Sequence, residues 1–170
     1  MELWDLFDAQ RKPLNRTHLR GTPCAAGEFH IVVSIWTVDS RGNFLLTLRD
    51  PAKESYPNTW ENTGGSVLAG ETSRQAAVRE LAEETGILAV ETALILIGTE
   101  STRDSFVDHY LLCRDIPLDE VRLQAGETAD AKWVTLPELE QMIADLSLAK
   151  PIGEQFNRIK ASLLLFLKEK

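Results

Sequence analysis

The stretch GSVLAGETSRQAAVRELAEETGI, residues 65–87, constrains this chain more than any other. It places Gly65, Glu71, Arg79, Glu80, Glu83, Glu84 and Gly86 at fixed intervals. Residues three and four apart are neighbours on a helix, so Glu80, Glu83 and Glu84 converge on one face. Like charges that close repel, and the chain that builds them needs a counter-ion. Hard oxygen donors suit Mg²⁺ or Mn²⁺. The local signals predict a loop followed by a helix. Thr72 and Gln75 form a capping box. Ala76, Ala77, Leu81 and Ala82 favour helix, and Gly86 sits where a left-handed cap is wanted. The helix therefore runs from Ser73 to Thr85, with Arg79 one turn before Glu83. Gly64, Gly65 and Gly70 let the preceding loop bend towards a ligand. Glu71 falls just before the helix, near its positive end.

A solvated acidic face is the plain alternative, but such a face usually intersperses Glu with Lys. Chance assembly of the seven glycine and charged positions has odds on the order of 10⁻⁷ at ordinary usage. Residues 65–87 match, at every position, the Nudix box G-x5-E-x7-R-E-U-x-E-E-x-G-U, with Leu81 and Ile87 in its aliphatic places. On these residues the chain resembles the Nudix hydrolase family.

Composition narrows the rest. The chain has 170 residues, 44% of them hydrophobic, which suits one domain with a real core. A net charge of −8 argues against a nucleic-acid polymer or an anionic membrane as partner. It leaves phosphate substrates open, because a bound divalent ion inverts the local charge. Cys24 and Cys113 show no metal spacing and read as thiols in a reducing cytoplasm. The N-terminus is acidic where a signal peptide is basic.

In order, residues 3–8 suggest a strand-turn or hairpin and 16–27 a connector, with His18 a loop histidine. His30–Val38 reads as a buried strand, 39–43 as a turn and Phe44–Arg49 as the returning strand of a hairpin. Leu88–Gly98 reads as a strand pair or one long strand, and Ser105–Arg114 as another, with His109 within it. An acidic loop, 118–128, leads to a short strand, 131–135, and helices follow at 136–145 and 152–168. Phe156, Ile159, Leu163 and Phe166 fall on one apolar stripe, read as intramolecular core with a dimer surface as the alternative. This order predicts an α/β fold, an α/β/α sandwich with a mixed β-sheet. It agrees with the fold the resemblance implies. One domain spans 1–170: an N-terminal extension (1–27), a core (28–145) and a C-terminal helix segment (151–169).

The resemblance implies Mg²⁺- or Mn²⁺-dependent hydrolysis of a small, nucleotide-derived diphosphate: a nucleoside diphosphate linked to a group X. Carried over by motif position, Glu80, Glu83, Glu84 and the Gly65 carbonyl are the metal ligands. Arg79 orients Glu83, while Glu71 and Gly86 support the loop and helix. The catalytic set is Glu83, Glu80, Arg79 and an off-box acid, Glu127. The base is either a box glutamate or Glu127, which otherwise is a solvated loop acid. Arg49 and Lys53 are either diphosphate contacts or surface cations. Trp60, Phe106 and Tyr110 either stack on a base or belong to the core.

The flanks resemble the isopentenyl-diphosphate isomerase-like branch: the LWDLFD start, Phe29-His30 leading to Trp36, and Arg49-x3-Lys53-x2-Tyr56-Pro57-x2-Trp60. The isomerases place a cysteine just after that tryptophan and a metal-binding histidine two residues on. Here Gly64 and Ser66 stand near those places, so isomerase chemistry is disfavoured. A nucleotide-binding regulatory module without turnover is the alternative; loss of box glutamates would mark it, and all are present. A homodimer is an expectation of the family alone.

Overall fold

The computed structural model describes residues 2–168. Met1 and residue 169, the outer limits of the expected N-terminal extension and C-terminal segment, lie outside the described residues, as does Lys170. The strands are β1 (Leu3–Phe7), β2 (Pro13–Leu19), β3 (His30–Val38), β4 (Phe44–Arg49), β5 (Trp60–Glu61), β6 (Thr63–Ser66), β7 (Ile95–Ser101), β8 (Ser105–Cys113) and β9 (Thr128–Val134). The helices are α1 (Ser73–Thr85), α2 (Leu136–Ala144) and α3 (Lys150–Lys168).

β3 is the axis of a seven-stranded mixed sheet. It pairs in parallel with β8 from His30↔Ser105 to Val38↔Cys113. Its β-branched run suits a strand with neighbours on both edges. Successive side chains alternate between the sheet's faces. Ile31, Val33 and Ile35 pack with Ala76, Ala77 and Leu81 of α1. Trp36 and Val38 pack with Phe156, Ile159 and Leu163 of α3 and Leu139 of α2. One helix covers one face and two cover the other, which is the expected α/β/α sandwich. The α3 stripe is core, as its spacing predicts, with Phe166 packed at its margin.

The functional geometry starts where β3 and β4 part. They pair only at Val38↔Phe44, so the expected hairpin opens at once. β4 then pairs with β9 from Phe44↔Val134 to Arg49↔Thr128. The segment 60–66 bridges the split: Trp60 and Glu61 pair with β4, and Thr63–Ser66 with β3. At the crossover Asn62 donates to Ser34 Oγ (2.8 Å) and to the Ile35 carbonyl (3.2 Å).

Two expectations need correction. Residues 16–19 are not connector but the end of β2, paired with β1 (Leu3↔Leu19, Asp5↔Thr17). The polar residues and the turn formers after them mask a strand whose partner, β1, lies just across the turn 8–12. Leu88–Gly98 is neither a strand pair nor one long strand; 88–90 is irregular, 91–93 is a 3₁₀ turn and β7 begins only at Ile95. Arg74 Nη1 there donates to the carbonyls of Glu91 (2.9 Å) and Leu94 (2.6 Å). These carbonyls have a side-chain partner, and Leu88 and Val90 stay exposed. Phe106 and Tyr110 are core residues. His109 is buried, and His18 bonds the Thr22 carbonyl (2.8 Å).

Candidate active site

α1 begins and ends as its sequence dictates. Thr72 and Gln75 form a reciprocal capping box, and Gly86 takes the left-handed conformation (φ 71°). This fixes the register that presents Glu80, Glu83 and Glu84 to the split between β3 and β4. A cavity of about 310 Å³ opens there, lined by all three with Gly64, Gly65, Arg79, Arg49, Lys53, Glu61 and Glu127.

Arg79 is the hub of one wall. Its Nε and Nη2 donate to the two Glu71 oxygens (2.9 and 3.0 Å). Its Nη1 donates to Glu80 (2.7 Å) and Glu83 (3.1 Å), and Nη2 also reaches the Ser66 carbonyl (3.0 Å). The guanidinium therefore ties the box loop to the helix, and Glu83 is only one of three acids it holds. Glu71 also accepts from the Leu68 N–H (3.0 Å). Arg79's bonds hold the Glu71 carboxyl below its ordinary range. Burial pushes Glu80 up, against the pull of Arg79. Glu84 is pushed well above the carboxylate range by burial, then by Glu61 and Glu80 beside it. The residue is partly buried and lines the cavity. Its one protein hydrogen bond comes from the Gly64 N–H (3.3 Å).

The opposite wall comes from β4, β5 and the loop before β9. Arg49 Nη1 donates to both Glu61 oxygens (2.9 and 2.8 Å), and its Nε to the Ser55 carbonyl (3.0 Å). Lys53 forms an ion pair with Glu127. The Asp50 N–H bonds the Glu127 carbonyl (2.9 Å), anchoring that loop to the end of β4. Arg49, Lys53 and Glu127 thus share the cavity with the box acids, but each cation already holds a carboxylate. Glu61 was not legible as a site residue. A lone acid after Trp60 carries no spacing signal, and only the strand switch turns it inward. Burial raises its pKa against the pull of Arg49.

The donor set is carboxylate and backbone oxygen, which suits a hard divalent cation. Among the described residues, no three His, Cys, Asp or Glu side chains close on one point as a finished metal cage. Arg79, Arg49 and Lys53 engage the carboxylates instead.

The two glycines before the box loop have different reasons. A Cβ on Gly65 would lie 2.1 Å from Glu80 Oε1, whereas one on Gly64 would lie 2.7 Å from the Val33 backbone oxygen. Gly65→Ala is therefore expected to displace the Glu80 carboxylate, which can swing, at a stability cost under ~1 kcal/mol. Gly64→Ala presses on backbone and is expected to cost about 2 kcal/mol. Denaturant unfolding with Mg²⁺ titration checks both: Gly65→Ala should lose Mg²⁺ affinity with little change in the unfolding midpoint.

The comparisons with known proteins agree with this architecture. The NUDIX domain family model matches residues 28–155. An uncharacterized Nudix hydrolase of Listeria monocytogenes is 38% identical over 148 residues, covering 84% of this chain and 85% of that protein. An isopentenyl-diphosphate Delta-isomerase of Klebsiella pneumoniae is 30% identical over 150 residues, covering 84% and 79%. The crystal structure of DR0079 from Deinococcus radiodurans superposes with a TM-score of 0.77 at 26% identity, covering 93% of this chain and 99% of that one.

Proposed function

The chain belongs to the Nudix family, and from that premise we propose that it is a divalent-metal-dependent pyrophosphohydrolase of a small nucleotide-derived diphosphate. The observation that carries this is the meeting of the intact box acids with two off-box cation–carboxylate pairs in one cavity. A diphosphate is multiply anionic, and water is a poor nucleophile at neutral pH. A divalent cation held by Glu80, Glu83 and Glu84 would neutralise phosphate oxygens and acidify water.

The chain's own residues do the remaining work. The backbone ligand falls to Gly64 rather than to the Gly65 carbonyl that motif position implies. The Val67 N–H bonds the Ile31 carbonyl (2.9 Å), and Val33↔Gly65 lies one repeat along the same antiparallel register. By that alternation Gly65 turns its backbone groups to β3 and Gly64 turns its own away, towards Glu84. Arg79, braced by Glu71, positions Glu80 and Glu83 directly. Glu83 is the exposed member of the three, touched by Arg79 at 3.1 Å, and is the acid best placed to take a proton. Glu127 holds Lys53, and Glu61 holds Arg49; the two cations are the diphosphate contacts. An isomerase reading is disfavoured. Gly64 and Ser66 serve the site through backbone atoms and carry no thiol or imidazole.

The test is phosphate release, through a coupled phosphatase, from nucleoside di- and triphosphates and X-linked diphosphates with Mg²⁺ or Mn²⁺. Metal-dependent turnover of one class supports the reading. Tight binding without product on every substrate would make the protein a nucleotide-sensing module instead.

A further inference from the structure

Arg49 and Lys53 line the cavity from the end of β4 and the loop after it; besides these and Arg79, Arg20 is a further cation in its lining. Arg20 and its partner Glu2 line the same cavity, on the side of the box loop. Arg20 follows directly on β2, and its N–H donates to the Glu2 carbonyl (3.0 Å). The hairpin that carries it is fastened to the box loop. The Ala69 N–H bonds the Leu3 carbonyl (2.7 Å), the Gly70 N–H bonds Asp5 Oδ2 (2.8 Å), and Trp4 stacks on His30 at 4.1 Å. The open end of the hairpin is thereby held over the acids of α1.

Arg20 and the two cations of the β4 wall differ in how firmly they are engaged. Arg49 and Glu61 are 20% and 13% exposed, and Arg49 has a further carbonyl partner. Arg20 and Glu2 meet through one contact of 2.5 Å and are 58% and 46% exposed. An exposed pair is screened and adds little. Arg20 can therefore exchange its partner for a substrate anion more easily than Arg49, or than Lys53, which is 22% exposed.

We propose that Arg20 is a specificity-determining residue that binds a third phosphate, so that the preferred substrate class carries three linked phosphates. Glu2 stands in for that phosphate when substrate is absent. The inference rests on the diphosphate-cleaving reading and extends it from the reacting pair to the phosphate beyond.

The experiment is calorimetric binding of inorganic tripolyphosphate and pyrophosphate, each with Mg²⁺, to wild type, Arg20→Gln and Glu2→Gln. Arg20→Gln should weaken tripolyphosphate about tenfold and pyrophosphate no more than about twofold. Glu2→Gln should tighten tripolyphosphate about threefold, because it removes the competing carboxylate. Opposite signs are the diagnostic, since a merely structural ion pair would shift both variants the same way. Equal shifts for the two phosphates, same-sign shifts, or none would overturn the proposal. Turnover assays separate its failure from that of the parent reading. Hydrolysis with a flat binding pattern removes Arg20 and keeps the hydrolase. The expected pattern without hydrolysis keeps Arg20 as an anion contact in a binding module.

Discussion

Glu84→Gln is expected to lower kcat/KM about a thousandfold, roughly 4 kcal/mol of transition-state stabilisation, while leaving the fold as stable as before or more so. The two effects have one origin. Glu84 lies at the cavity floor among Glu61 and Glu80, and its pKa is raised well above the ordinary carboxylate range. A raised pKa means that the folded state binds this proton more readily than the unfolded chain. Stability from this group therefore falls as pH rises past the ordinary carboxylate pKa. At neutral pH without a cation, holding a charge at this position works against folding. Glutamine removes that charge, keeps the volume, and still offers an oxygen to the Gly64 N–H. The stability gain should vanish at acid pH, where Glu84 is protonated in both states. Mg²⁺ should raise the wild-type melting temperature more than the variant's. Thermal scans across pH with and without Mg²⁺, beside turnover assays, check all of this. A variant that unfolds easily at neutral pH would show that the buried acid is structural.

Local chemistry wrote much of this site into the sequence. The capping box at Thr72, the cap at Gly86 and the three-and-four spacing of the glutamates depend only on near neighbours, so the helix appears where they put it. The β3 core was readable for the same reason, as a continuous β-branched run. What stayed hidden depends on distant partners. β2 is a strand because β1 pairs with it, and Leu88–Ala93 is not one because its carbonyls take other partners, Arg114 at Leu88 and Arg74 at Glu91. Glu61 enters the cavity only because residues 60–66 change partners from β4 to β3. Arg49 and Lys53 could be placed near the site by strand order. Their ion pairs with Glu61 and Glu127 needed three dimensions.

Arg79 tests whether the acids must be organised as well as present. Arg79→Ala is expected to cost about 2–3 kcal/mol of stability, less than a fully buried pair because the guanidinium is 23% exposed. Activity should fall about a hundredfold, in the range for a residue that orients metal ligands. Removing it leaves Glu71, Glu80 and Glu83 without their shared cation and the Ser66 carbonyl without its donor. Arg79→Lys divides charge from geometry. A lysine restores the positive charge, but one ammonium cannot reproduce the fork that grips both Glu71 oxygens while reaching the other two acids. The lysine variant should therefore recover more than half of the lost stability and little of the activity. Denaturant midpoints and kcat measured at saturating Mg²⁺ read the two quantities separately. Full recovery of activity by lysine would mean that Arg79 acts through its charge alone. No recovery of stability would mean that the loop between Ser66 and Glu71 is held by the fork itself.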